Sequence, residues 1–427
     1  MKNERIEAVV GHVPASWAIQ ALESLADFIT KGGTPTTYGH DWADEATGVP
    51  FLRSECVTDN GFNAKGMNFI SAAAHRQMSR SEVKPGDLLM TITGNVGRVA
   101  KAPERYTTAN INQHIARIRV LGEASADVDY VYQCLKHDGY ATYYRAILTG
   151  QAYPQISLQQ VRGTPIALPP LHEQRKISAI LTAMDDKLDV IARQIEATQT
   201  LKQGLMQTLF SRGVGTRGAD GRWVQHVEFK ASELGSIPMT WDVRSLNEVV
   251  DNLDRQRIPL KQADRALRRG AYPYYGASGV IDWIDGFIFD GDFILLGEDG
   301  ENVLSRNLPL AFRATGKIWV NNHAHVFRPK TGCDIQFLVE LLESIDYSSL
   351  ASGTAQPKIT QQALNQLRFA MPPYEEQQRI GSILATAESK LASLRLKQAN
   401  YGTLKRGLMQ KLLTGEWRIN ADASMAV

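Results

Sequence analysis

Polar side chains on turn-rich segments are the residues of this chain whose types fit recognition chemistry. In the first half of the chain these candidates are Lys31, Thr34, Thr36, Arg53, Thr93, Asn95, Gln113, Gln151, Tyr153 and Gln155. In the second half they are Arg257, Tyr275, Ser278, Asn322, Gln356 and Lys358. Asn and Gln amides can bind an adenine edge through two hydrogen bonds, and Arg or Lys can bind guanine. Each of these side chains is equally suited to a loop hydrogen bond or a structural cap.

Motifs of covalent catalysis and of metal binding are not found in the sequence. Cys56, Cys134 and Cys333 lie far apart without CxxC or Cys/His spacing, which argues against a zinc site. The adjacent carboxylates Asp185-Asp186 and Glu298-Asp299 are interpreted as solvated surface groups rather than metal ligands. No GxxxxGK[ST] phosphate loop occurs. The sequence therefore predicts no catalytic residue, no metal site and no cofactor site in this chain.

One segment resembles a catalytic motif. Met371-Pro372-Pro373-Tyr374 is similar to the Asp/Asn-Pro-Pro-Tyr motif of amino-methylating DNA methyltransferases, but Met371 replaces the residue that would bind the target amino group. A fused methyltransferase fragment is therefore one hypothesis, and the absence of a glycine-rich methyl-donor loop argues against it.

Charge and hydropathy exclude two broad classes. The chain has 427 residues with a net charge of +2, so global charge does not indicate a nucleic-acid coat. One local basic cluster contains Arg255, Arg257, Lys261, Arg265, Arg268 and Arg269, and it is interpreted as a solvated loop or helix face. No stretch approaches the roughly 20 apolar residues of a membrane span. We predict a soluble, cytoplasmic protein.

The sequence is internally duplicated. The segment that begins at Gly150 (GQAYPQISLQQVRGTPIALPPLHEQRKISAIL) matches the one that begins at Gly353 (GTAQPKITQQALNQLRFAMPPYEEQQRIGSIL), at a constant offset of 203 residues. The offset still holds at Gly204 and Gly407. Trp17 and Trp241 mark the start of each copy at an offset of 224. Each copy is therefore a variable part followed by a constant part.

The duplication predicts seven segments. They are an N-terminal segment (1–16), domain 1 (17–168), a first constant helix (169–213), a linker (214–240), domain 2 (241–371), a second constant helix (372–415) and a C-terminal tail (416–427).

Each constant part predicts one long helix that begins after a Pro-Pro pair, from about 171 to 211 and from about 374 to 413. Apolar residues with spacings of 3 and 4 predict a coiled-coil seam of Ile177, Leu181, Met184, Leu188, Ile191, Ile380, Leu384, Leu391 and Leu394. Farther along, Leu201 and Leu404 are predicted to resume the seam, followed by Leu205, Leu209, Leu408 and Leu412. Such helices are roughly 60 Å long, and we expect them to pair antiparallel; alternatively, each packs on its own domain.

The variable parts predict mixed α+β domains of shared topology. Leu88–Thr93 and Phe293–Leu296 each follow a turn and are predicted strands. Asn112-Gln113-His114 and Asn321-Asn322-His323 each precede a further predicted strand. Their recurrence favours a scaffold role for the triplet over specific recognition.

Taken together, these features resemble the specificity subunit of a Type I restriction-modification system. The resemblance rests on two Ile/Val-Pro-x-x-Trp segments and on two copies of Gly-x-Ala-x-Pro-x-Ile followed by Pro-Pro-x-x-Glu-Gln-x-x-Ile. It implies a non-catalytic chain that binds double-stranded DNA at a two-part target. The implied partners are two methyltransferase subunits and two restriction/translocase subunits, which would carry the methyl donor, ATP and magnesium. A protein-binding adaptor without DNA recognition is the alternative.

Overall fold

The computed structural model describes residues 4–121, 126–150, 153–353 and 356–419. The chain divides into two compact units, of which unit 1 comprises residues 1–191 and 397–427 and unit 2 comprises residues 192–396. Each unit thus contains one variable domain and one half of each long helix.

Unit 1 begins with a hairpin of β1 (Arg5–Ala8) and β2 (Gly11–Pro14). The strands of domain 1 are β3 (Ala18–Ala21), β4 (Ala26–Lys31), β5 (Trp42–Ala43), β6 (Val49–Leu52), β7 (Val57–Thr58), β8 (Gly61–Phe62), β9 (Asn68–Ile70), β10 (Glu82–Val83), β11 (Leu88–Thr91), β12 (Val99–Lys101), β13 (Ala109–Ile111), β14 (Ile115–Val120) and β15 (Pro165–Leu168). Its helices are α1 (Ala72–Gln77), α2 (Val128–Leu135), α3 (Asp138–Ala146) and α4 (Leu158–Arg162), with short 3-10 helices at Leu22–Leu25, Pro35–Tyr38, Ser54–Cys56 and Ser79–Ser81.

The first long helix, α5, is Leu171–Arg212. Unit 2 continues with β16 (Thr216–Arg217), β17 (Trp223–Val224), β18 (Phe229–Ser232), β19 (Gly235–Pro238), β20 (Asp242–Ser245), β21 (Val250–Asn252), β22 (Arg269–Gly276), β23 (Gly279–Ile284), β24 (Phe289–Gly297), β25 (Ala311–Val320), β26 (Ala324–Pro329), β27 (Ala351–Ser352), β28 (Lys358–Ile359) and β29 (Arg368–Met371). Its helices are α6 (Leu246–Val249), α7 (Gln262–Ala266), α8 (Asn302–Ser305), α9 (Ile335–Ser344), α10 (Gln361–Leu364) and a 3-10 helix at Asp254–Gln256, and the second long helix, α11, is Tyr374–Leu413.

The two domains share part of their strand plan, because the order β12-β11-β14-β4 of domain 1 corresponds to β25-β24-β26-β21 of domain 2, while the remaining strands are arranged differently. Domain 1 has sheets of order β10-β13-β6-β9-β5 and β12-β11-β14-β4, whereas domain 2 has one sheet of order β21-β26-β24-β25-β22-β23. In each domain the first and last strands pair antiparallel, β3 with β15 and β20 with β29. Because both domain ends meet in that pair, each domain feeds directly into a long helix. The predicted α+β class with duplicated domains and long helices is confirmed.

The Pro-Pro-x-x-Glu-Gln motif is a structural clamp. The Gln174 side chain accepts from the backbone N–H of Asp127 at 3.0 Å and donates to the Pro169 carbonyl at 2.9 Å. In the second copy, Gln377 accepts from Asp334 N–H at 2.9 Å and donates to the Pro372 carbonyl at 2.8 Å. Asp127 and Asp334 are the N-caps of α2 and α9. The recurring glutamine therefore fixes a helix of each domain to the start of its long helix.

The glutamate of the same motif binds the segment next to the end of the partner helix. The buried carboxylate of Glu376 accepts from the Trp241 indole at 2.8 Å, the His226 imidazole at 3.0 Å, and the backbone N–H groups of Val214 and Gly215 at 2.9 and 3.0 Å. Gly213 has a positive φ of 70°, and a Cβ there would lie 2.1 Å from a Glu376 oxygen, so only glycine fits. In unit 1, Glu173 is bound instead by the Arg418 guanidinium at 2.9 Å.

The long helices pack antiparallel within each unit. In unit 1, Ile177 and Leu181 share a core with Met409 and Leu412; in unit 2, Leu209 shares one with Ile380 and Leu384. Residues of the adjacent domain complete both cores. The two packing alternatives therefore both hold, because each half-helix contacts its partner helix and one domain. The predicted seam residues are buried or half-buried.

The prediction that Leu201 and Leu404 resume the seam is wrong. These side chains are 60% and 52% exposed. The inward positions belong to the next residues, Lys202 and Lys405, whose side chains are only 12% and 9% exposed. Apolar spacing alone cannot reveal this shift in phase, because a buried lysine is stabilised by an ionic partner that the period does not show.

Candidate nucleic-acid interface

Among the described residues, each domain has one pair of parallel strands, whose C-terminal ends define a common edge. In domain 1, β6 runs parallel to β13, and in domain 2, β22 runs parallel to β25. Arg53 and Asn112 follow the first pair, while Gly276 ends β22 and Asn321 follows β25. We call this edge with its loops the loop edge: residues 31–36, 53–55, 92–95, 112–114 and 153–155 in domain 1, and residues 276–279, 298–300, 321–323 and 356–358 in domain 2.

The recurring triplet makes the same turn at both loop edges. The Asn112 side chain accepts from His114 N–H at 3.1 Å, and the Asn321 side chain accepts from His323 N–H at 2.8 Å. Both asparagines are buried. The first residue of the triplet is thus a scaffold group. The middle residue, Gln113 or Asn322, differs between the copies and is half-buried in one and exposed in the other.

The Pro-x-Ile part of the repeat joins the loop edge through two backbone hydrogen bonds. In domain 1, Ile156 N–H donates to the Ile92 carbonyl at 3.0 Å, and Gly94 N–H donates to the Pro154 carbonyl at 2.9 Å. The intervening Gln155 forms a β-bridge with Thr93 and is exposed. Asn95 is exposed in the same loop.

Domain 2 repeats this arrangement. Ile359 N–H donates to the Glu298 carbonyl at 2.8 Å, and Gly300 N–H donates to the Pro357 carbonyl at 3.0 Å. Lys358 takes the place of Gln155. The constant residues of the motif therefore build the loop edge, while the varying residue between them faces outward in both domains.

A cleft of about 470 Å³ opens at the loop edge of domain 1. It brings together four sequence-predicted residues, namely Thr34, Arg53, Gln113 and Tyr153. The Thr34 hydroxyl donates to the Gln113 side chain at 2.9 Å, and the Arg53 guanidinium pairs with Glu55 at 2.8 Å. Tyr153 is 61% exposed. An aromatic face beside fixed amide and guanidinium groups is suited to hydrogen bonding and stacking with a nucleobase.

The remaining candidates of domain 1 do not line this cleft. Lys31 and Thr36 lie exposed on either side of Thr34, and Thr93 and Gln155 form their bridge nearby. Gln151 lies outside the described residues. Gly32 sets the path of the loop, because a Cβ there would lie 1.7 Å from the Ile111 carbonyl oxygen; the glycine permits the loop to cross the end of β13.

Sequence reasoning missed several residues that line the cleft. Trp42, Asn68 and Glu55 belong to it, whereas His114, which also lines the cleft, is part of the predicted Asn112-Gln113-His114 triplet. Trp42 comes from the short strand β5 and packs edge-on against Phe51, with ring centroids 5.3 Å apart. A lone tryptophan in a turn-rich segment gave no periodic signal, so only the pairing of β5 with β9 reveals its place.

The loop edge of domain 2 centres on the buried carboxylate of Glu298. Arg257 pairs with Glu298 at 2.6 Å and also donates to the Ala324 carbonyl at 2.7 Å, and Lys358 pairs with Glu298 at 3.0 Å. Burial favours the neutral carboxyl, but the hydrogen bonds from Arg257 and Lys358 outweigh it and hold the pKa of Glu298 below its usual value. The guanidinium of Arg257 is thus engaged inside the domain, while Lys358 stays half-exposed.

The interpretation of the carboxylate pairs as solvated surface groups holds for Asp186, which is exposed, and is wrong for Asp185, Glu298 and Asp299. Glu298 is buried, and Asp299 lies 2.9 Å from the His323 imidazole. Asp185 pairs with the buried Lys405. The cause is the same in each case: a basic residue distant in sequence is packed against the carboxylate. Within the described ranges, no group of three or more His, Cys, Asp or Glu residues could hold a metal ion.

Most of the other domain 2 candidates face outward. Ser278, Asn322 and Gln356 are exposed. Tyr275 is half-buried and stacks on Phe312 with ring centroids 6.0 Å apart, and burial raises the pKa of its hydroxyl.

The basic cluster of domain 2 is largely ion-paired. Arg265 and Arg269 pair with Asp282 at 3.1 and 3.0 Å, and Arg268 pairs with Asp285 at 2.8 Å. This pairing neutralises much of the local positive charge. The cluster is therefore a network of paired side chains around β22 and β23 rather than a free basic surface.

The carboxylate of Asp254 binds two residues of strand β26, next to the loop edge of domain 2. Its carboxylate accepts from the His325 imidazole at 2.6 Å and from Val326 N–H at 2.8 Å. Burial alone would raise the pKa of Asp254, but the interactions with His325, Val326 and Arg257 outweigh it and lower the pKa. A lowered carboxyl pKa stabilises the fold above the unfolded value of about 3.9, and the contribution is lost as pH falls through the folded value.

We expect Asp254→Asn to lower the free energy of unfolding by about 1–3 kcal/mol at pH 7. The difference from the parent chain should shrink below about pH 4, where the parent carboxylate itself becomes protonated. Urea unfolding followed across pH 7 to pH 3 measures both. The exposed Asp251, replaced by Asn, is the matched control; equal effects of the two substitutions would contradict the assignment.

Comparisons with known proteins place these features in a family. The family model described as Type I restriction modification DNA specificity domain matches residues 14–199 and 238–400. Two relatives from Methanocaldococcus jannaschii are similar along nearly their whole length. The putative type I restriction enzyme MjaX specificity subunit is 23% identical and the type I restriction enzyme MjaVIII specificity subunit is 25% identical, and the alignments cover 96% and 98% of this chain and 96% and 97% of the relatives.

The fold has a solved counterpart. The crystal structure of a Type I restriction-modification S subunit from M. genitalium matches with a TM-score of 0.62 at 17% identity, over 93% of this chain and 96% of that one. At this identity the likeness concerns the fold alone. None of the helices in the described ranges combines the length and the apolarity needed to cross a membrane.

Proposed function

Since this chain belongs to the family of Type I restriction modification DNA specificity domains, we propose that it is a sequence-specific DNA-binding subunit that recognises a two-part target. Specificity subunits are non-catalytic components of restriction-modification complexes. The chain would therefore direct methylation and cleavage that partner subunits carry out.

The observation that carries this proposal is the pair of equivalent loop edges. Both are built by the same turn and the same Pro-x-Ile hydrogen bonds, yet they present different outward side chains. In domain 1 these are the exposed Tyr153 and Gln155 with the half-buried Arg53 and Gln113, and in domain 2 they are the exposed Asn322 and Lys358. A constant scaffold with differing hydrogen-bonding groups is what two modules need to bind two different base sequences.

The roles of the residues follow from their exposure. Asn322, which is exposed, would contact a base edge through its amide, and Gln113 would do so through the second lone pair and second N–H that its contacts with Thr34 and His114 leave free. Lys31 and Lys358 would contact phosphates, which position the protein without selecting a sequence. Tyr153 and Trp42 would stack on or pack beside the nucleotide at the domain 1 cleft. Arg257 would act indirectly, because its guanidinium holds Glu298 and the Ala324 carbonyl.

The partners follow from the family. We propose that two methyltransferase subunits join this chain for modification of double-stranded DNA and that two restriction/translocase subunits join for cleavage, in the cytoplasm. The methyl donor, ATP and magnesium would bind those partners and not this chain. Leu201 and Leu404, which are exposed and recur at the offset of 203 residues, would each contact one methyltransferase subunit.

The test is methylation sequencing of DNA from cells that contain this chain with its cognate methyltransferase subunit, against cells that lack only this chain. Methylated adenines in a split sequence with a fixed gap, present only with this chain, are the expected result. Methylation that is absent, or unchanged when the chain is removed, would overturn the proposal. Binding to DNA should also weaken steeply with salt if phosphates are contacted, whereas a protein adaptor would show no such dependence.

A further inference from the structure

Two lysines, of which Lys405 is buried and Lys202 is half-buried, occupy equivalent places between the long helices. Lys202 of α5 pairs with Glu388 of α11 at 2.8 Å in unit 2, and Lys405 of α11 pairs with Asp185 of α5 at 2.5 Å in unit 1. The lysines are 203 residues apart, as are the two carboxylates. The duplication has therefore preserved one ionic contact across the helix pair in both units.

A third side chain, from a helix of the domain, completes each contact. In unit 2, Glu340 of α9 lies 3.0 Å from the Lys202 ammonium. In unit 1, the Gln133 amide of α2 donates to Asp185 at 2.7 Å. Gln133 and Glu340 are each six residues after the N-cap of their helix. Each contact therefore joins both long helices and one domain.

The electrostatic environments of the two lysines differ in one respect. Burial lowers the pKa of Lys405, and the nearby Lys136 lowers it further, so that Asp185 only partly compensates. Burial also opposes the charged form of Lys202, but the two carboxylates outweigh it and raise its pKa. Both ammonium groups depend on their carboxylate partners, because an unpaired charge is costly in a buried position.

The seam leucines alone do not determine the helix register, because a slip of one heptad again places apolar residues opposite each other. The lysines make such a slip unfavourable. It would place Lys202 opposite Gly381 or Arg395 instead of Glu388, and Lys405 opposite Ser178 or Ala192 instead of Asp185. No slipped pairing gives either lysine a carboxylate, and one gives Lys202 a like charge.

We propose that Lys202 and Lys405 are positioning residues that fix the register of the helix pair and the position of each domain on it. By fixing the register, they would set the number of base pairs between the two half-sites. The gap part of this inference rests on the proposed function; the register part does not. Buried polar groups that specify the register of paired helices are a known use of such contacts.

The decisive variant replaces both contacts with apolar or neutral groups: Lys405→Met with Asp185→Leu, and Lys202→Met with Glu388→Leu and Glu340→Gln. Such replacements of buried ion pairs are often neutral or stabilising, so the chain is expected to fold. The matched control is Lys187→Met with Lys390→Met, two exposed lysines that are also 203 residues apart.

Register is measured in the full chain by pulsed electron paramagnetic resonance between spin labels at Asp186→Cys and Thr403→Cys, in a Cys333→Ser background. The parent and the control should each give one distance. The variant should add a second, longer distance, because a slip of seven helical residues moves the two labels about 10 Å apart along the helix axis, at right angles to their separation across the helix pair. A variant with the parent's single distance would overturn the register assignment, whatever the chain does with DNA.

The gap is measured with the assembled methyltransferase complex on DNA whose half-sites are one base pair closer or farther apart. The parent should prefer the native gap about ten-fold or more, because a wrong gap requires DNA deformation. The variant should lose most of that preference while both half-site sequences stay unchanged. A retained gap preference would overturn the inference; a parent chain that directs no methylation would instead overturn the proposed function.

A charge exchange keeps the proposal testable if the neutral variant fails to fold. Gln133 donates to Asp185 through its amide nitrogen, whereas its amide oxygen has no hydrogen-bond partner in the described structure. Lys405→Glu with Asp185→Lys should therefore be tolerated, because the amide oxygen can accept from the new lysine. Lys405→Glu alone should broaden the distance distribution, and the exchanged pair should restore it; no restoration would contradict the proposed contact.

Discussion

Replacing Glu376 by alanine is expected to lower the free energy of unfolding by about 3–5 kcal/mol, because buried donors lose a charged acceptor. The Trp241 indole, the His226 imidazole and the N–H groups of Val214 and Gly215 all bind this carboxylate. Urea denaturation monitored by tryptophan fluorescence and by circular dichroism measures the change.

The neighbouring Glu375 provides the control. It lies one residue earlier on the same first helical turn and is exposed, so Glu375→Ala changes the same charge near the helix N-terminus without removing a buried acceptor. Its effect should stay below about 1 kcal/mol. A comparable loss from both substitutions would show that the helix dipole, and not the clamp, is responsible.

The equivalent residue of the first copy gives a graded comparison. Glu173 is bound by the partly exposed Arg418, and the buried indole N–H of Trp17 has no hydrogen-bond partner among the described residues. We expect Glu173→Ala to cost about 1–3 kcal/mol, less than Glu376→Ala. The reverse order would contradict the assignment of the stronger clamp to unit 2.

Exchange of residues 241–353 for the matching segment of another family member is expected to replace one half-site completely and to leave the other unchanged. The physical reason is that the loop edge of domain 2 is built from its own strands, β22, β24 and β25, together with the 356–358 segment. The segment exchanged ends before the Pro-x-Ile contact, so the constant scaffold of the chain is retained. Methylation sequencing of cells that contain the hybrid measures both half-sites at once.

The control for this exchange is a gene assembled in the same way with the parent's own residues 241–353, which should reproduce the parent target. A hybrid that recognises the old sequence at both halves, or a new one at both halves, would refute independent recognition by the two domains. The hybrid also constrains the candidate residues: if the retained half-site changes when Gln113 is replaced by Ala in the hybrid, that half-site belongs to domain 1.

Much of the fold follows from local sequence patterns. The Pro-Pro pairs and the apolar period predicted α5 and α11 to within one residue at each end, because a helix start and a helical period are properties of neighbouring residues. The strands at Leu88–Thr91 and Phe289–Gly297 were likewise predicted in place, although the second is longer than its apolar run. The duplication itself required only a comparison of the chain with itself.

The candidate site followed from sequence only in part. The cleft of domain 1 brings together four predicted residues, Thr34, Arg53, Gln113 and Tyr153, of which the first and the last are 119 residues apart in the sequence. Their polar types alone did not indicate that they share a cleft. The parallel pairing of β6 with β13 brings Arg53 and Gln113 together, the hydroxyl of Thr34 bonds to Gln113, and the Pro-x-Ile contact adds Tyr153. Their contacts with DNA remain a prediction.

The sequence by itself determined the duplication, the two long helices, the α+β character of the domains and the residue types available for recognition. The tertiary structure decided which polar groups are buried and what they bind. The apolar period assigns the inward position to Leu201, and only the folded helix pair shows that Lys202 occupies it. In the same way, Glu298 looks solvated in the sequence, although Arg257 and Lys358 pack against it in the fold. Backbone periodicity is encoded by neighbouring residues, whereas the free energy of a buried charge depends on partners that only the folded chain brings within hydrogen-bond distance.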